Sequence, residues 1–110
     1  MVKFTLKEDE DVALTAFQAA IRNRLGVHLK EIILFGSRAR GDGDLESDYD
    51  ILLVVDEVTP EVNEAVDDVA GEILYDRGEV FSVFPVPVRR YENDTYSPFL
   101  INVRNEGIGL

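Results

Sequence analysis

The chain has 110 residues, which is enough for one domain with a single hydrophobic core. It has no cysteine and one histidine, His28, so disulfide bonds, thiolate metal sites and histidine-rich zinc centres are excluded. The formal net charge of −11 disfavours an extended nucleic-acid-binding surface, and it fits either an ordinary acidic cytosolic protein or a salt-adapted one. Because the sequence has neither an apolar run of about 18 residues nor a signal-peptide pattern, we expect a cytoplasmic protein that does not enter a membrane.

The first predicted element is a helix that begins near Leu6. Thr5 and Glu8 have the spacing of a capping box, which marks a helix N-terminus. Apolar residues then recur at steps of three and four, as on one helical face: Ala13, Ala16, Phe17, Ala20, Ile21 and Leu25. Gly26 is placed to end this helix.

Two strands follow the first helix. "KEIILFG" (residues 30–36) and "DYDILLVVD" (residues 48–56) are short runs rich in aliphatic and β-branched residues. The centre of the second run is apolar at every position, which indicates burial on both faces. Only residues 37–47 join the two runs, too few for a crossover helix, so the strands are expected to be antiparallel neighbours.

A second helix is predicted from Thr59, its N-cap, to Gly78, with Pro60 at the first helical position. Its buried stripe consists of Val62, Val66, Val69 and Ile73. The helix joins strand two to a third strand in "EVFSVFPVPV" (residues 79–88), so these two strands are expected to be parallel.

The last part of the chain alternates between apolar residues and chain breakers. Pro85 and Pro87 are expected to break off the third strand. Three residues of that strand are assigned to the core: Phe81, Val83 and Phe84. Ser97-Pro98 opens a short helix, and Gly107 ends it as a glycine cap with an apolar contact from Ile108.

These elements predict an α+β fold: a small mixed sheet with helices packed against it, forming one domain over residues 1–110. In this topology the end of strand one, the start of strand two and the start of strand three lie at one edge of the sheet. We therefore expect Gly36-Ser37, Asp48, Asp50 and residues 79–82 to converge.

The converging residues have the chemistry of a metal and phosphate site. Asp48 and Asp50 are two apart on a strand, so both carboxylates lie on one face, with Cα atoms roughly 7 Å apart. Two carboxylates this close repel each other unless a cation lies between them. Oxygen ligands without histidine or cysteine suit Mg²⁺ or Mn²⁺. Tyr49, between the aspartates, is expected to face the core.

Gly36-Ser37 supplies the phosphate-binding half of the predicted site. Glycine lets the backbone approach a ligand, and a helical turn starting at Ser37 would direct N–H groups at an anion. Arg38 and Arg40 are nearby cations that either contact phosphate or pair with the acidic spacer. In that spacer Asp42, Asp44 and Glu46 are interpreted as solvated loop charges. The alternative is that "GDGDLESDYD" (residues 41–50) is only an acidic turn between the two strands.

The pattern of Gly36-Ser37, ten residues, then Asp48-Tyr49-Asp50 resembles the signature of the DNA polymerase β-like nucleotidyltransferase superfamily. The "GSRARG" opening and the small size resemble its minimal, antitoxin-type branch. The resemblance implies Mg²⁺-dependent transfer of a nucleoside monophosphate, usually AMP from ATP, to an acceptor hydroxyl. It also implies a small helical HEPN-type partner, a ribonuclease toxin on which a tyrosine receives AMP.

The sequence departs from this family pattern at one position. Members usually carry a third acidic residue on the third strand, where this chain has Ser82, with Glu79 at the strand's start. Which of the two stands at that position is left open. If neither supplies the carboxylate, the alternative function is a weak or inactive nucleotidyltransferase-fold protein that acts as an antitoxin by complex formation. A nucleotide sensor is a weaker alternative, and a polymerase is disfavoured by the charge.

Overall fold

The structure, a computed structural model, describes residues 11–41 and 48–110. Its helices are α1 (Val12–Leu25), α2 (Ser37–Arg40), α3 (Pro60–Arg77), α4 (Val88–Asn93) and α5 (Pro98–Glu106). Its strands are β1 (Leu29–Phe35), β2 (Tyr49–Val55), β3 (Phe81–Pro87) and β4 (Ile108–Gly109). None of the helices in these two ranges is long and apolar enough to cross a membrane.

The four strands form one mixed sheet in the order β3-β2-β1-β4. β1 and β2 are antiparallel, and β2 and β3 are parallel, as the lengths and contents of their connections predicted. β4 was not predicted. It is only two residues long and pairs antiparallel with β1 through Ile33 and Leu34.

Each face of the sheet has its own apolar core. The larger core lies under α1 and α3 and includes Phe17, Ile21, Ile51, Val69 and Phe81. The second core lies on the opposite face, where Leu100 and Val103 of α5 cover Ile33, Leu52 and Val54. Every residue of β2 except Asp50 is buried, which confirms the prediction of burial on both faces.

The helix ends follow local capping chemistry. Thr59 accepts a hydrogen bond from the N–H of Val62, and Gly78 closes α3 with a left-handed φ of 72°, both as predicted. The Asp11 carboxylate accepts a hydrogen bond from the N–H of Leu14, so α1 begins at Val12. The predicted start near Leu6, with the Thr5–Glu8 capping box, lies outside the described residues.

Three details of the last third of the chain differ from the predictions. β3 continues through Pro85 to Pro87, because β3 is an edge strand and a missing N–H there breaks no ladder. Phe84 is 42% exposed and does not belong to the buried core. Gly107 ends α5 as predicted, and its N–H donates to the carbonyl oxygen of Val103, but its φ of −76° is not left-handed. A side chain there would overlap Cγ2 of Ile33.

Candidate active site

The strand register brings the predicted site residues to one sheet edge. Asp50 on β2 lies opposite Phe35, the residue before Gly36, and on its other side lies opposite Ser82 of β3. Asp48 precedes β2 and is exposed. Ser37 is half-buried and begins α2, directly after Gly36. The turn after β1 therefore lies beside the two aspartates.

Gly36 is the point of closest approach between the turn and the aspartates. Its φ of 79° and ψ of −162° belong to a region that only glycine readily adopts. A Cβ atom added there would overlap Oδ2 of Asp50 and lie 3.2 Å from its Cγ. Glycine thus allows the backbone to lie directly against the carboxylate.

The carboxyl group of Asp50 has a pKa raised above its usual range. Burial is the main cause, and the charges of Asp48 and Glu106 add to it, while Arg40 acts in the opposite direction. The negative charge of Asp50 is therefore unfavourable in the protein alone. A divalent cation between Asp48 and Asp50 would relieve that repulsion.

The two arginines of α2 lie on different sides of the turn. The guanidinium carbon of Arg38 is 4.0 Å from the centroid of the Tyr49 ring, and its Nη2 is 3.7 Å from Glu79 Oε1. Nη1 of Arg40 lies 3.2 Å from the Glu106 carboxylate, on the side of Asp50. Arg38 therefore anchors the turn to the core side, and Arg40 is the cation nearer the aspartates.

A stack of rings holds the residue between the aspartates. The Tyr49 ring stacks on the Phe81 ring with their centroids 4.4 Å apart, and the Phe81 ring stacks on the Phe17 ring with centroids 4.7 Å apart. The Tyr49 hydroxyl donates to Asp11, with both carboxylate oxygens at 2.9 Å. Burial, together with this carboxylate, raises the pKa of the Tyr49 phenol. Tyr49 faces the core as predicted, so Asp48 and Asp50 are turned to the opposite side.

Glu106, the last residue of α5, is a site residue that sequence reasoning missed. Its Oε2 accepts a hydrogen bond from the N–H of Gly36 at 2.9 Å, and both its carboxylate oxygens lie 3.2 Å from Nη1 of Arg40. Glu106 belongs to no recognisable motif and is 70 residues from Gly36 in the chain. Only the packing of α5 across the sheet brings it to the turn.

The structure distinguishes the two residues left open for the third acidic position. Ser82 lies beside Asp50 in the parallel ladder. Glu79 pairs with Arg38, on the Tyr49 side of the turn. The residue in register with Asp50 is therefore a serine, and no carboxylate of β3 completes the set.

The donor set fits a divalent ion that is shared with a substrate. Within residues 11–41 and 48–110, no group of three or more acidic, histidine or cysteine side chains could hold a metal. Asp48 and Asp50 could provide carboxylate oxygen ligands at the start of β2. Mg²⁺ is commonly held by one or two carboxylates together with substrate phosphates, and this pair suits that arrangement.

A cavity of about 530 Å³ lies at the other end of the sheet and is lined in part by His28, Asp56 and Glu61. Nδ1 of His28 lies 2.7 Å from Oδ2 of Asp56. His28 precedes β1 and Asp56 follows β2, so this cavity is remote from Asp50. We place the candidate site at the aspartates, where the carboxylates and cations converge.

Comparison with known proteins finds a matching family model and related sequences. A family model described as a nucleotidyltransferase domain matches residues 16–99. The protein adenylyltransferase MntA of Thermococcus cleftensis is 43% identical over 58 residues, which is 53% of this chain and 56% of that protein. The chain spans about half the length of the curated relatives it matches.

Solved structures share the fold. A chain in the crystal structure of a toxin–antitoxin with AMP-PNP superposes with a TM-score of 0.62 and 21% identity, covering 94% of this chain and 72% of its own. A chain of the tri-AMPylated Shewanella oneidensis HEPN toxin in complex with MNT antitoxin has a TM-score of 0.53 and 18% identity, covering 89% and 71%. At these identities the similarity shows the fold alone.

Proposed function

The chain belongs to the nucleotidyltransferase domain family, and we propose that it transfers the AMP group of ATP to a hydroxyl group of a protein partner. The observation that carries the proposal is the contact between Gly36 and Asp50. It places a glycine-serine turn directly against one of two neighbouring carboxylates. A turn that can receive phosphate beside carboxylates that can hold a metal is what nucleotidyl transfer requires.

The reaction is a substitution at the α-phosphorus of ATP. The acceptor oxygen forms a bond to that phosphorus, the bond to the bridging oxygen of the β-phosphate breaks, and pyrophosphate leaves. The hydroxyl proton passes to a carboxylate of the site or to water. Asp48 and Asp50 would hold Mg²⁺ or Mn²⁺, which, when bound, neutralises charge on the phosphates.

The turn residues have separate roles in this proposal. Gly36 brings the backbone close to the nucleotide, and the hydroxyl of Ser37 donates to a phosphate oxygen. Arg40, on the side of Asp50, is the cation that meets the phosphates. Arg38 lies against Tyr49 and Glu79 and holds the turn in place.

We further propose that the acceptor belongs to a small helical HEPN-type toxin for which this protein is the antitoxin. The support is the fold shared with chains of toxin–antitoxin structures, one with AMP-PNP and one with an AMPylated HEPN toxin.

A second candidate function is antitoxin action by complex formation without transfer. Ser82 at the register position beside Asp50 favours it, because β3 then supplies no carboxylate to complete the proposed metal site of Asp48 and Asp50. Such a protein retains metal and nucleotide binding but transfers slowly or not at all.

Labelling of the partner tests the proposal. The protein is incubated with α-³²P-ATP, Mg²⁺ and the candidate partner, the product of an adjacent gene. We expect label on the partner, and its loss with EDTA or with the double variant Asp48→Asn, Asp50→Asn. The matched control, Asp67→Asn with Asp76→Asn, removes the same charge from the exposed surface of α3. A stable complex without label supports the second candidate, and label that survives in the double variant refutes the proposed site.

A further inference from the structure

The carboxylate of Glu106 engages two donors at the candidate site. The N–H of Gly36 donates to Oε2 at 2.9 Å, and Nη1 of Arg40 lies 3.2 Å from both carboxylate oxygens. One is a backbone donor of the turn that approaches Asp50, and the other is the cation on the same side. A backbone N–H and a guanidinium that converge on one anion also form a suitable binding position for a phosphate oxygen.

We propose that Glu106 occupies a phosphate position of the nucleotide site and is displaced when the nucleotide binds, so that Glu106 sets the affinity for nucleoside triphosphates. The inference rests on the proposed function, because it assigns a residue to the same site. A carboxylate and a phosphate compete for the same donors and repel each other, so they do not share them. Each nucleotide that binds must therefore break the contacts of Glu106.

The position of Glu106 allows this displacement. It is the last residue of α5, and its side chain is 25% exposed, whereas Leu100 and Val103 anchor the helix in the second core. Rotation of the side chain moves the carboxylate to solvent without moving those anchors. The Arg40–Glu106 pair is itself partly exposed, and such pairs are weak and easily exchanged.

The competing role for Glu106 is that of the missing third metal ligand. Its contacts oppose that role, because both carboxylate oxygens face Arg40 and one also accepts from Gly36. In the described part of the chain, Glu106 and the aspartates form no group that could hold a metal. The two roles predict opposite effects of neutralising Glu106, since loss of a ligand weakens binding and loss of a competitor strengthens it.

The test compares nucleotide affinity in three forms of the full chain by calorimetry: the unmodified protein, Glu106→Gln and the control Glu72→Gln. Glu72 is exposed on α3, so its variant measures the effect of one lost negative charge. The ligand is α,β-methylene-ATP with Mg²⁺, which cannot release pyrophosphate. We expect Glu106→Gln to tighten binding about fivefold relative to Glu72→Gln, the size of a weak ion-pair competitor. Tripolyphosphate, added as a competitor, should bind Glu106→Gln more tightly than Glu72→Gln by the same factor.

The inference is overturned if Glu106→Gln binds the nucleotide no more tightly than the control. It is also overturned if the affinity for tripolyphosphate does not increase in Glu106→Gln. Weaker binding of nucleotide and Mn²⁺ would instead identify Glu106 as a metal ligand. If neither the unmodified protein nor the variant binds the nucleotide, the proposed function fails together with the inference. A thermal melt of each variant, and a second variant, Glu106→Ala, show that a change in affinity does not come from unfolding.

Discussion

The substitution Gly36→Ala tests the contact on which the site depends. It adds one methyl group at a residue with φ 79° and ψ −162°, where that group would overlap Oδ2 of Asp50. Two costs follow. An alanine in this backbone region costs about 1–3 kcal/mol. Turning the Asp50 carboxylate away from its rotamer costs about 0.5–1.5 kcal/mol more. The free energy of unfolding should therefore fall by about 1.5–4.5 kcal/mol, which at about 5 °C per kcal/mol lowers Tm by roughly 8–22 °C.

Gly26 provides the matched control. Its φ of 56° and ψ of −128° are also unfavourable for alanine, but an added Cβ meets nothing within 4 Å. Gly26→Ala thus has the backbone cost, about 1–3 kcal/mol, without the contact with Asp50. Thermal unfolding followed by circular dichroism measures both losses. Calorimetry with Mg²⁺ and α,β-methylene-ATP, performed below either Tm, measures the site.

We expect Gly36→Ala to bind the nucleotide at least about tenfold more weakly, because its Asp50 carboxylate no longer points to the proposed metal position. Gly26→Ala should bind like the unmodified protein. The reasoning is refuted if the two variants bind the nucleotide equally well, whatever their stabilities. It is also refuted if Gly36→Ala is no less stable than the unmodified protein.

Substitutions at three further positions, Asp50, Tyr49 and Ser82, have expected outcomes. Because the folded-state pKa of Asp50 is raised, its ionisation opposes folding as the pH rises through that pKa. Asp50→Asn should therefore raise Tm at pH 7 in EDTA, and the gain should vanish below about pH 4, where the unfolded carboxyl is protonated. Tyr49→Phe loses the hydrogen bond to Asp11, so urea unfolding should show a loss of about 1 kcal/mol in the free energy of unfolding. Tyr49→Leu also loses the stacking on Phe81, so its loss should be about 3 kcal/mol. Ser82→Asp places a carboxylate beside Asp50, so Mn²⁺ should bind more tightly by calorimetry while Tm without metal falls; unchanged Mn²⁺ affinity would contradict this placement.

Local signals explain why the helices, the strands and their order could be predicted. The N-cap at Thr59 and the glycine stop at Gly78 are read from neighbouring residues, and both are present. The eleven-residue connection 37–47 was too short for a crossover, which was enough to make β1 and β2 antiparallel. The approach of Gly36 to Asp50 followed from this pairing, because the end of one strand then lies beside the start of the next.

Contacts between distant parts of the chain could not be predicted in this way. Glu106 reaches Gly36 only because α5 packs across the second core, and no local pattern marks that path. Arg38 and Arg40 are two positions apart in the sequence, and only the helical turn of α2 directs Arg38 to Tyr49 and Arg40 to Glu106. Pro85 and Pro87 were expected to break off β3, which continues through Pro85 and ends at Pro87; the sequence does not show that this strand lies at an edge, where Pro85 is tolerated.

The balance of charge at the site leads to a last prediction about the metal. Among residues 11–41 and 48–110, Asp48, Asp50 and Glu106 are carboxylates near the cation Arg40, while Arg38 lies against Glu79 and Tyr49. A triphosphate without metal adds further negative charge and must also displace Glu106. We therefore expect ATP to bind far more weakly in EDTA than with Mg²⁺, in a calorimetric titration at fixed ionic strength. Glu106→Gln should reduce the difference between the ATP affinities measured with Mg²⁺ and in EDTA, because it removes one of these carboxylates. Equal affinity with and without Mg²⁺ would mean that Asp48 and Asp50 do not face the phosphates.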